Sequence, residues 1–128
     1  LRLGFAIAPA EIVAGLREEL GPWPVSGPAI AIGRQALSDR AWHDAARRRL
    51  AESADRLDAL LTAAGFETVG GTSLFRLAAH PRAQAVADML GHAGVHIRRF
   101  AAAPHWLRFG IPAERDWPRL EAALRSTR

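Results

Sequence analysis

The chain has 128 residues, a length that allows one domain with a buried core. Hydrophobic residues make up 49% of it, which excludes a disordered chain, and the absence of Cys excludes disulfides and thiolate metal sites. All 17 basic residues are Arg, so no side-chain amine could form a Schiff base. The net charge of +4 allows acidic partners, but the arginines do not form the aromatic-interleaved stripe typical of nucleic-acid binders.

The hydropathy and charge patterns argue against a membrane and against nucleic acid as partners. No uninterrupted apolar run is long enough to span a bilayer, and the short apolar start LRLGFAIAP does not resemble a signal peptide. The run Arg47–Arg49 lies on a predicted helix that also carries acidic residues. Arg48 is expected to pair with Asp44 and Glu52 at four-residue spacing. We therefore expect a cytoplasmic protein that binds neither nucleic acid nor membrane.

The first 28 residues indicate a connection between two structural units. Leu1–Ala8 is predicted to be a strand, and a chain that opens inside an apolar strand is expected to belong to a longer protein. A helix is predicted to begin at Pro9 and to end before Gly21. The prolines from Pro22 to Pro28 then predict a rigid crossing, in which Ser26 caps the next helix.

The rest of the chain predicts an α+β fold, in which helices cover one face of a small, mostly antiparallel sheet. Trp42 and Trp117 fall at core positions of their helices, and Gly70-Gly71 is predicted to be a turn. The predicted elements in order are a helix Ala29–Leu37, a long helix Asp39–Ala64 ended by Gly65, a strand Thr72–Ala78, a helix from His80 to Leu90, two strands, and a last helix capped by Asp116.

The two late strands carry the most specific functional pattern in the chain. Val95–Phe100 and Trp106–Ile111 are predicted to form a hairpin around Ala101–His105. A hairpin symmetric about Ala103 places Arg98 opposite Arg108 on one face, where like charges repel. An anion between the two guanidinium groups would turn this repulsion into attraction, because guanidinium binds carboxylate and phosphate bidentately. The alternative is a different register in which both arginines point into solvent.

The five histidines do not predict a metal site. Their spacing matches no metal-binding motif, and no second type of ligand is grouped with them. His80 and His92 are interpreted as helix-end residues and His105 as a turn residue. His96 shares a face with Arg98 in the predicted register, so a minor place at the anion site is possible for it.

Several segments resemble one known family. The start, Leu1-Arg2-Leu3-Gly4-Phe5, resembles the stretch that follows the cofactor lysine in fold-type I pyridoxal-phosphate enzymes of the class I/II aminotransferase group. GPWPVSGPA resembles the family's interdomain segment, and GVHIRRF and WLRFGIP resemble the arginine-bearing strands of its C-terminal small domain. With GGTSLFRLA, these segments are most similar to threonine-phosphate decarboxylase-like proteins of cobalamin biosynthesis, which are relatives of histidinol-phosphate aminotransferases. The resemblance covers nearly all 128 residues but only the C-terminal part of such an enzyme.

The resemblance implies an organisation and three residue roles. It implies that residues 1–28 end the large domain and cross between domains, and that residues 29–128 form the small domain, which begins with the long interdomain helix. Arg2 would bind the phosphate of the cofactor pyridoxal phosphate, Arg108 the substrate α-carboxylate, and Arg98 the second anion of a phosphorylated amino acid. Relatives often have Asn where this chain has Pro24, so that position is given no contact.

The implied catalytic group is not within the chain. The cofactor lysine, the aspartate that pairs with the pyridine nitrogen and the stacking aromatic residue would all lie upstream of Leu1 in a missing large domain. We therefore assign no catalytic residue here and do not expect this piece alone to retain the cofactor or to be active. When full length, such an enzyme would be a homodimer. In these enzymes the cofactor is the electron sink, and anion-binding arginines determine which substrate bond is presented to it.

Three functions remain open at the level of sequence. The first is the small domain of a threonine-phosphate decarboxylase-like lyase, with a phosphorylated amino acid as substrate. The second is the small domain of a histidinol-phosphate-type aminotransferase. The third is a stand-alone anion-binding domain without a cofactor, which the absence of lysine would favour if this were the whole natural chain.

Overall fold

The computed structural model of the protein describes residues 3–126. Its helices are α1 Ala10–Leu20, α2 Gly27–Ser38, α3 Arg40–Ala63, α4 Ala83–His92 and α5 Trp117–Arg125, and its strands are β1 Glu67–Thr72, β2 Phe75–Ala79, β3 Arg98–Arg99 and β4 Trp106–Gly110. The chain forms two compact units, and the division between them falls after His43, inside α3. The predicted domain boundary at residue 28 stays a prediction.

Side chains cap two helix starts in the first unit, and the one at Ser26 follows the prediction. The Ser26 hydroxyl accepts a hydrogen bond from the Ala29 backbone N–H at 3.4 Å at the start of α2. At the start of α3, the Asp39 carboxylate accepts one from the Trp42 N–H at 2.9 Å. Both side chains satisfy backbone donors that have no partner inside the helix.

Two other predictions for the first unit are wrong. Residues 3–8 of the predicted strand Leu1–Ala8 form no strand, because all the strands of the described sheet lie between Glu67 and Gly110 and none pairs with them. Trp42 is 59% exposed rather than in a core, although its periodic position on α3 suggested burial. Its indole ring instead contacts His43 edge-on, with ring centroids 5.5 Å apart.

The second unit is built on one four-stranded antiparallel sheet in the order β1-β2-β4-β3, which confirms the α+β prediction. One face of this sheet packs against α3, α4 and α5, and we call it the covered face; we call the other the open face. Strand alternation places Ala78, Leu107 and Phe109 on the covered face. Large buried core residues contributed by the helices are Leu57, Leu61, Val86, Leu90, Trp117, Leu120 and Leu124.

The turn predicted at Gly70-Gly71 is also wrong. Both glycines lie inside β1, next to a β-bulge at residues 68–70, and the chain reverses at Ser73 and Leu74 instead. Gly71 has φ +157°, and a Cβ placed there would collide with the Phe75 backbone oxygen. The glycine therefore serves close backbone approach within the sheet rather than a reversal of the chain.

Three local predictions in the second unit need correction. The strand predicted at Val95–Phe100 is reduced to Arg98–Arg99, because only this short part pairs with β4. Asp116 makes no side-chain cap at α5, since a single 3₁₀ turn over residues 114–116 leads into the helix. Asp44 pairs with Arg47, three residues on at 3.1 Å, rather than with Arg48.

Two predictions for this unit, the end of α3 at Gly65 and the burial of Trp117, are confirmed. Gly65 follows α3 with φ +85°, the left-handed conformation of a helix-ending glycine. Trp117 is buried in the core at 1% exposure. Over residues 3–126, no helix is both long and apolar enough to cross a membrane.

Candidate functional site

The hairpin has the predicted register. Arg98 on β3 lies directly opposite Arg108 on β4, and Arg99 lies opposite Leu107. The turn between them is closed by backbone hydrogen bonds from the Ala103 N–H to the Phe100 oxygen at 3.3 Å and from the Trp106 N–H to the Ala103 oxygen at 2.9 Å. Because cross-strand partners share a face, Arg98 and Arg108 both lie on the open face of the sheet.

Apolar and aromatic groups surround the two arginines. Leu77 of β2 pairs with Arg108, so the row Leu77, Arg108 and Arg98 crosses three strands on the open face. The guanidinium carbon of Arg108 lies 5.3 Å from the centre of the Phe75 ring, and that of Arg98 lies 5.9 Å from the centre of the Phe100 ring. Both distances are within the range of cation–π attraction, so each ring restricts the guanidinium group beside it.

An open groove of about 760 Å³ lies beside the two arginines of this row. Arg98, Arg108, His96 and Phe75 are among the residues that line it, and none of its lining residues is acidic. Both Arg98 and Arg108 are solvent-exposed. Within residues 3–126, neither of them has an acidic partner. A groove with two unneutralised guanidinium groups favours an anion, and carboxylate or phosphate fits guanidinium geometry best.

A second set of contacts fixes the neighbouring strand β2 to helix α3 from the covered face. The Arg76 side chain donates from Nε to both carboxylate oxygens of Asp58 at 2.8 Å, and its exposed fraction is only 15%. Thr68 of β1 also donates to Asp58, at 3.3 Å. Asp58 therefore joins two strands to α3 and supports the sheet that carries the groove.

His80 lies where β2 gives way to α4, as predicted for a helix-end residue. Its Nδ1 accepts a hydrogen bond from the Arg82 backbone N–H at 3.0 Å, and its ring packs 4.8 Å from the Phe66 ring. Burial, with a smaller contribution from the positive charge of Arg82, lowers the pKa of His80 below 6.5. The neutral ring is thus the form that accepts the bond and stabilises the start of α4.

The structure brings some of the predicted site residues together and leaves one undescribed. Arg98, Arg108 and His96 line the same groove, whereas Arg2 lies outside the described residues. In the part of the chain from residue 3 to residue 126, no group of three His, Cys, Asp or Glu side chains could hold a metal. Sequence reasoning missed Phe75, although its place in a predicted strand put it on the same face as Leu77.

Comparison with known proteins identifies the family to which this α+β chain belongs. Residues 1–126 match the family described as aminotransferase class I and II. The chain belongs to that family, whose members use pyridoxal phosphate as cofactor.

Two curated relatives and one solved structure are similar to most of the chain. The chain is 41% identical over 124 residues to the threonine-phosphate decarboxylase of Pseudomonas aeruginosa, covering 96% of this chain and 37% of that protein. It is 31% identical over 131 residues to the histidinol-phosphate aminotransferase of Chromohalobacter salexigens, covering 97% of this chain and 37% of that protein. A crystal structure of a putative aminotransferase from Burkholderia pseudomallei shares the fold, with a TM-score of 0.80, 19% identity, and coverage of 94% and 38%. The chain thus spans 37% of the length of these two curated relatives.

Proposed function

We propose that this chain is the C-terminal part of a pyridoxal-phosphate-dependent threonine-phosphate decarboxylase-like enzyme of cobalamin biosynthesis. In this proposal Arg108 binds the α-carboxylate and Arg98 the phosphate of a phosphorylated amino acid. The observation that carries the proposal is the pairing of Arg98 and Arg108 on the open face, with no acidic partner in the described chain.

Electrostatics supports an anion between the two side chains. Two guanidinium groups at directly opposite positions of an antiparallel pair repel each other, and this destabilises the hairpin. A bound dianion, or two anionic groups of one ligand, would reverse the sign of that interaction and gain charge-assisted hydrogen bonds. A phosphorylated amino acid offers a carboxylate and a phosphate on one small molecule, which matches two arginines on neighbouring strands.

The relatives support the decarboxylase ahead of the aminotransferase. Identity to the threonine-phosphate decarboxylase is 41%, compared with 31% to the histidinol-phosphate aminotransferase over a similar length. The histidinol-phosphate-type aminotransferase is the second candidate, because its substrate also carries a phosphate and its relatives cover the chain equally well. Two opposed arginines suit a carboxylate with a phosphate, as in threonine O-3-phosphate, and also a single phosphate dianion, as in histidinol phosphate, so the reaction itself has to be measured.

The residues of this chain do not by themselves fit pyridoxal phosphate. The sequence contains no lysine to hold the cofactor covalently, and Arg2, proposed to bind its phosphate, lies outside the described residues. We therefore derive no chemical step through the cofactor and limit the role of this chain to binding and orienting substrate. The proposed enzyme includes an upstream large domain that supplies the lysine, and it is a cytoplasmic homodimer.

The test uses the longer reading frame, extended upstream until it includes a lysine, and supplied with pyridoxal phosphate. The enzyme is offered threonine O-3-phosphate and, separately, histidinol phosphate with 2-oxoglutarate. Release of CO₂ from the first substrate is the expected result. Amino transfer from the second without CO₂ would move the assignment to the aminotransferase, and no activity with either would contradict both assignments and leave only the resemblance in fold.

A further inference from the structure

The strand that carries Arg98 has little backbone support of its own. β3 consists of two residues, lies at the edge of the sheet and pairs only with β4. So short an edge strand frays easily, since few hydrogen bonds hold it. The position of Arg98 opposite Arg108 therefore needs support from outside the ladder, all the more because the two like charges repel.

Helix α4 supplies contacts of the required kind from the covered face. Arg99 is also one of the residues that line the groove, but it lies opposite the buried Leu107, so its side chain starts on the covered face. Its guanidinium donates to the Asp88 carboxylate at 2.6 Å and reaches the Gln84 side-chain oxygen at 3.5 Å.

Gln84 also holds the turn of the hairpin. Its side-chain nitrogen donates to the Pro104 carbonyl oxygen at 2.5 Å, while its oxygen accepts from Arg99. Gln84 and Asp88 are four residues apart, so they lie on the same side of α4. Buried residues of α4, such as Val86 and Leu90, fix the helix to the core. The two polar residues thus connect the hairpin to a rigid element.

We propose that Gln84 and Asp88 are positioning residues, which hold β3 and the hairpin turn against α4 so that Arg98 stays opposite Arg108 and both can bind one anionic ligand. This inference rests on the function proposed for the groove. It assigns to α4, which does not line the groove, a share in substrate affinity.

Electrostatics alone and loss of positioning predict opposite changes in KM when Asp88 is replaced by Asn, so the sign of the change distinguishes them. Asp88→Asn removes a negative charge beside the hairpin, so simple electrostatics would strengthen anion binding and lower KM. Loss of positioning would weaken binding and raise KM. Asp88→Glu keeps the charge and can keep the ion pair, and Gln84→Ala removes the contacts without any change of charge.

The experiment measures kinetics and amide hydrogen exchange in the longer enzyme. For Asp88→Asn we expect KM for threonine O-3-phosphate to rise by about threefold to fivefold, the scale of an exposed ion pair, with kcat within about twofold. The amides that pair β3 with β4 should exchange faster, while those between β1 and β2 should not change. Gln84→Ala should act in the same direction, and Asp88→Glu should resemble the wild type.

The matched control is Asp44→Asn, which breaks the exposed ion pair with Arg47 on α3 and should leave KM and the hairpin amides unchanged. A lower or unchanged KM in Asp88→Asn, or unchanged exchange of the β3 amides, would overturn the inference. If the wild type turns over neither substrate, the proposed function fails. Inorganic phosphate then serves as the ligand, and its binding is measured from the shifts of the Arg98 and Arg108 side-chain N–H signals. Weaker phosphate binding in Asp88→Asn supports positioning, while equal or tighter binding, or none in the wild type, contradicts it.

Discussion

The two faces of the four-stranded sheet carry different kinds of residue, although the same strands supply both. On the covered face, Leu107 and Phe109 of β4 are buried among residues of three helices. On the open face, Arg108 lies between them in sequence, yet it is exposed and pairs across the strand with Arg98. Alternation along one strand thus separates residues that stabilise the fold from residues available for a ligand. Substitutions on the two faces should affect different measurements.

The largest expected effect comes from the covered face. Phe109→Ala removes a side chain that is 1% exposed and contacts Phe66 edge-on, with ring centroids 5.3 Å apart. We expect the free energy of unfolding to fall by about 3–5 kcal/mol, the range for a large buried aromatic residue. Chemical denaturation measures this change in the free energy of unfolding, provided that the variant and the wild type have the same m-value.

The matched control is Arg108→Ala, one residue away on the opposite face. It should change the free energy of unfolding by less than about 0.5 kcal/mol, because the side chain is exposed and its loss relieves repulsion with Arg98. Equal destabilisation by the two substitutions would show that the faces do not differ in the way described.

A smaller loss in the free energy of unfolding is expected for Asp58, whose polar contacts fix the covered face to α3. Asp58→Asn weakens the contact with Arg76, a guanidinium that is only 15% exposed. We expect a loss of about 1–2 kcal/mol in the free energy of unfolding, since a mostly buried charge would keep a poorer partner. Asp44→Asn is the control, because its ion pair is exposed on both sides and should contribute less than about 0.5 kcal/mol. Similar losses in the two variants would argue against a supporting role for Asp58.

The smallest effect concerns pH and the start of α4. The pKa of His80 is lower in the folded protein than the ordinary 6.5, so the unfolded chain binds more protons between the two values. His80 should therefore stabilise the fold fully above pH 6.5 and lose this contribution as the pH falls through 6.5 towards the folded pKa. Denaturation midpoints measured from about pH 7.5 to about pH 5.5 would show the decline.

The comparison variant for this pH effect is His80→Asn, which can still accept the Arg82 N–H through its side-chain oxygen but does not titrate. Its stability should depend less on pH over the same interval. An identical decline in the variant and the wild type would assign the pH effect to other groups.

The sequence predicted those features that depend on local rules. The hairpin register followed from the symmetry of its turn about Ala103, and the cap at Ser26 followed from the chemistry of its side chain. The arginine pair of the candidate site could therefore be predicted before its geometry was known.

Features that depend on contacts between distant segments were missed. Gly70 and Gly71 suggested a turn, but the bulge in β1 and close approach to Phe75 place them inside a strand. The link from α4 to the hairpin joins Gln84 to Pro104 and Asp88 to Arg99 across 20 and 11 residues, and no periodic pattern marks such contacts. Trp42 had the spacing of a core residue, yet spacing cannot tell whether a neighbouring element covers it.

The most direct test of the central claim is a double-mutant cycle on substrate binding. Affinity for threonine O-3-phosphate would be measured in the longer enzyme for the wild type, Arg98→Ala, Arg108→Ala and the double variant, with cofactor absorbance confirming that each retains its cofactor. If the two arginines bind one ligand, each single variant should lose about 1.5–3 kcal/mol of binding free energy, and the two losses should not add. Unchanged affinity in either single variant would contradict joint binding of one ligand on the open face, and losses that add fully would contradict coupling between the two opposed side chains.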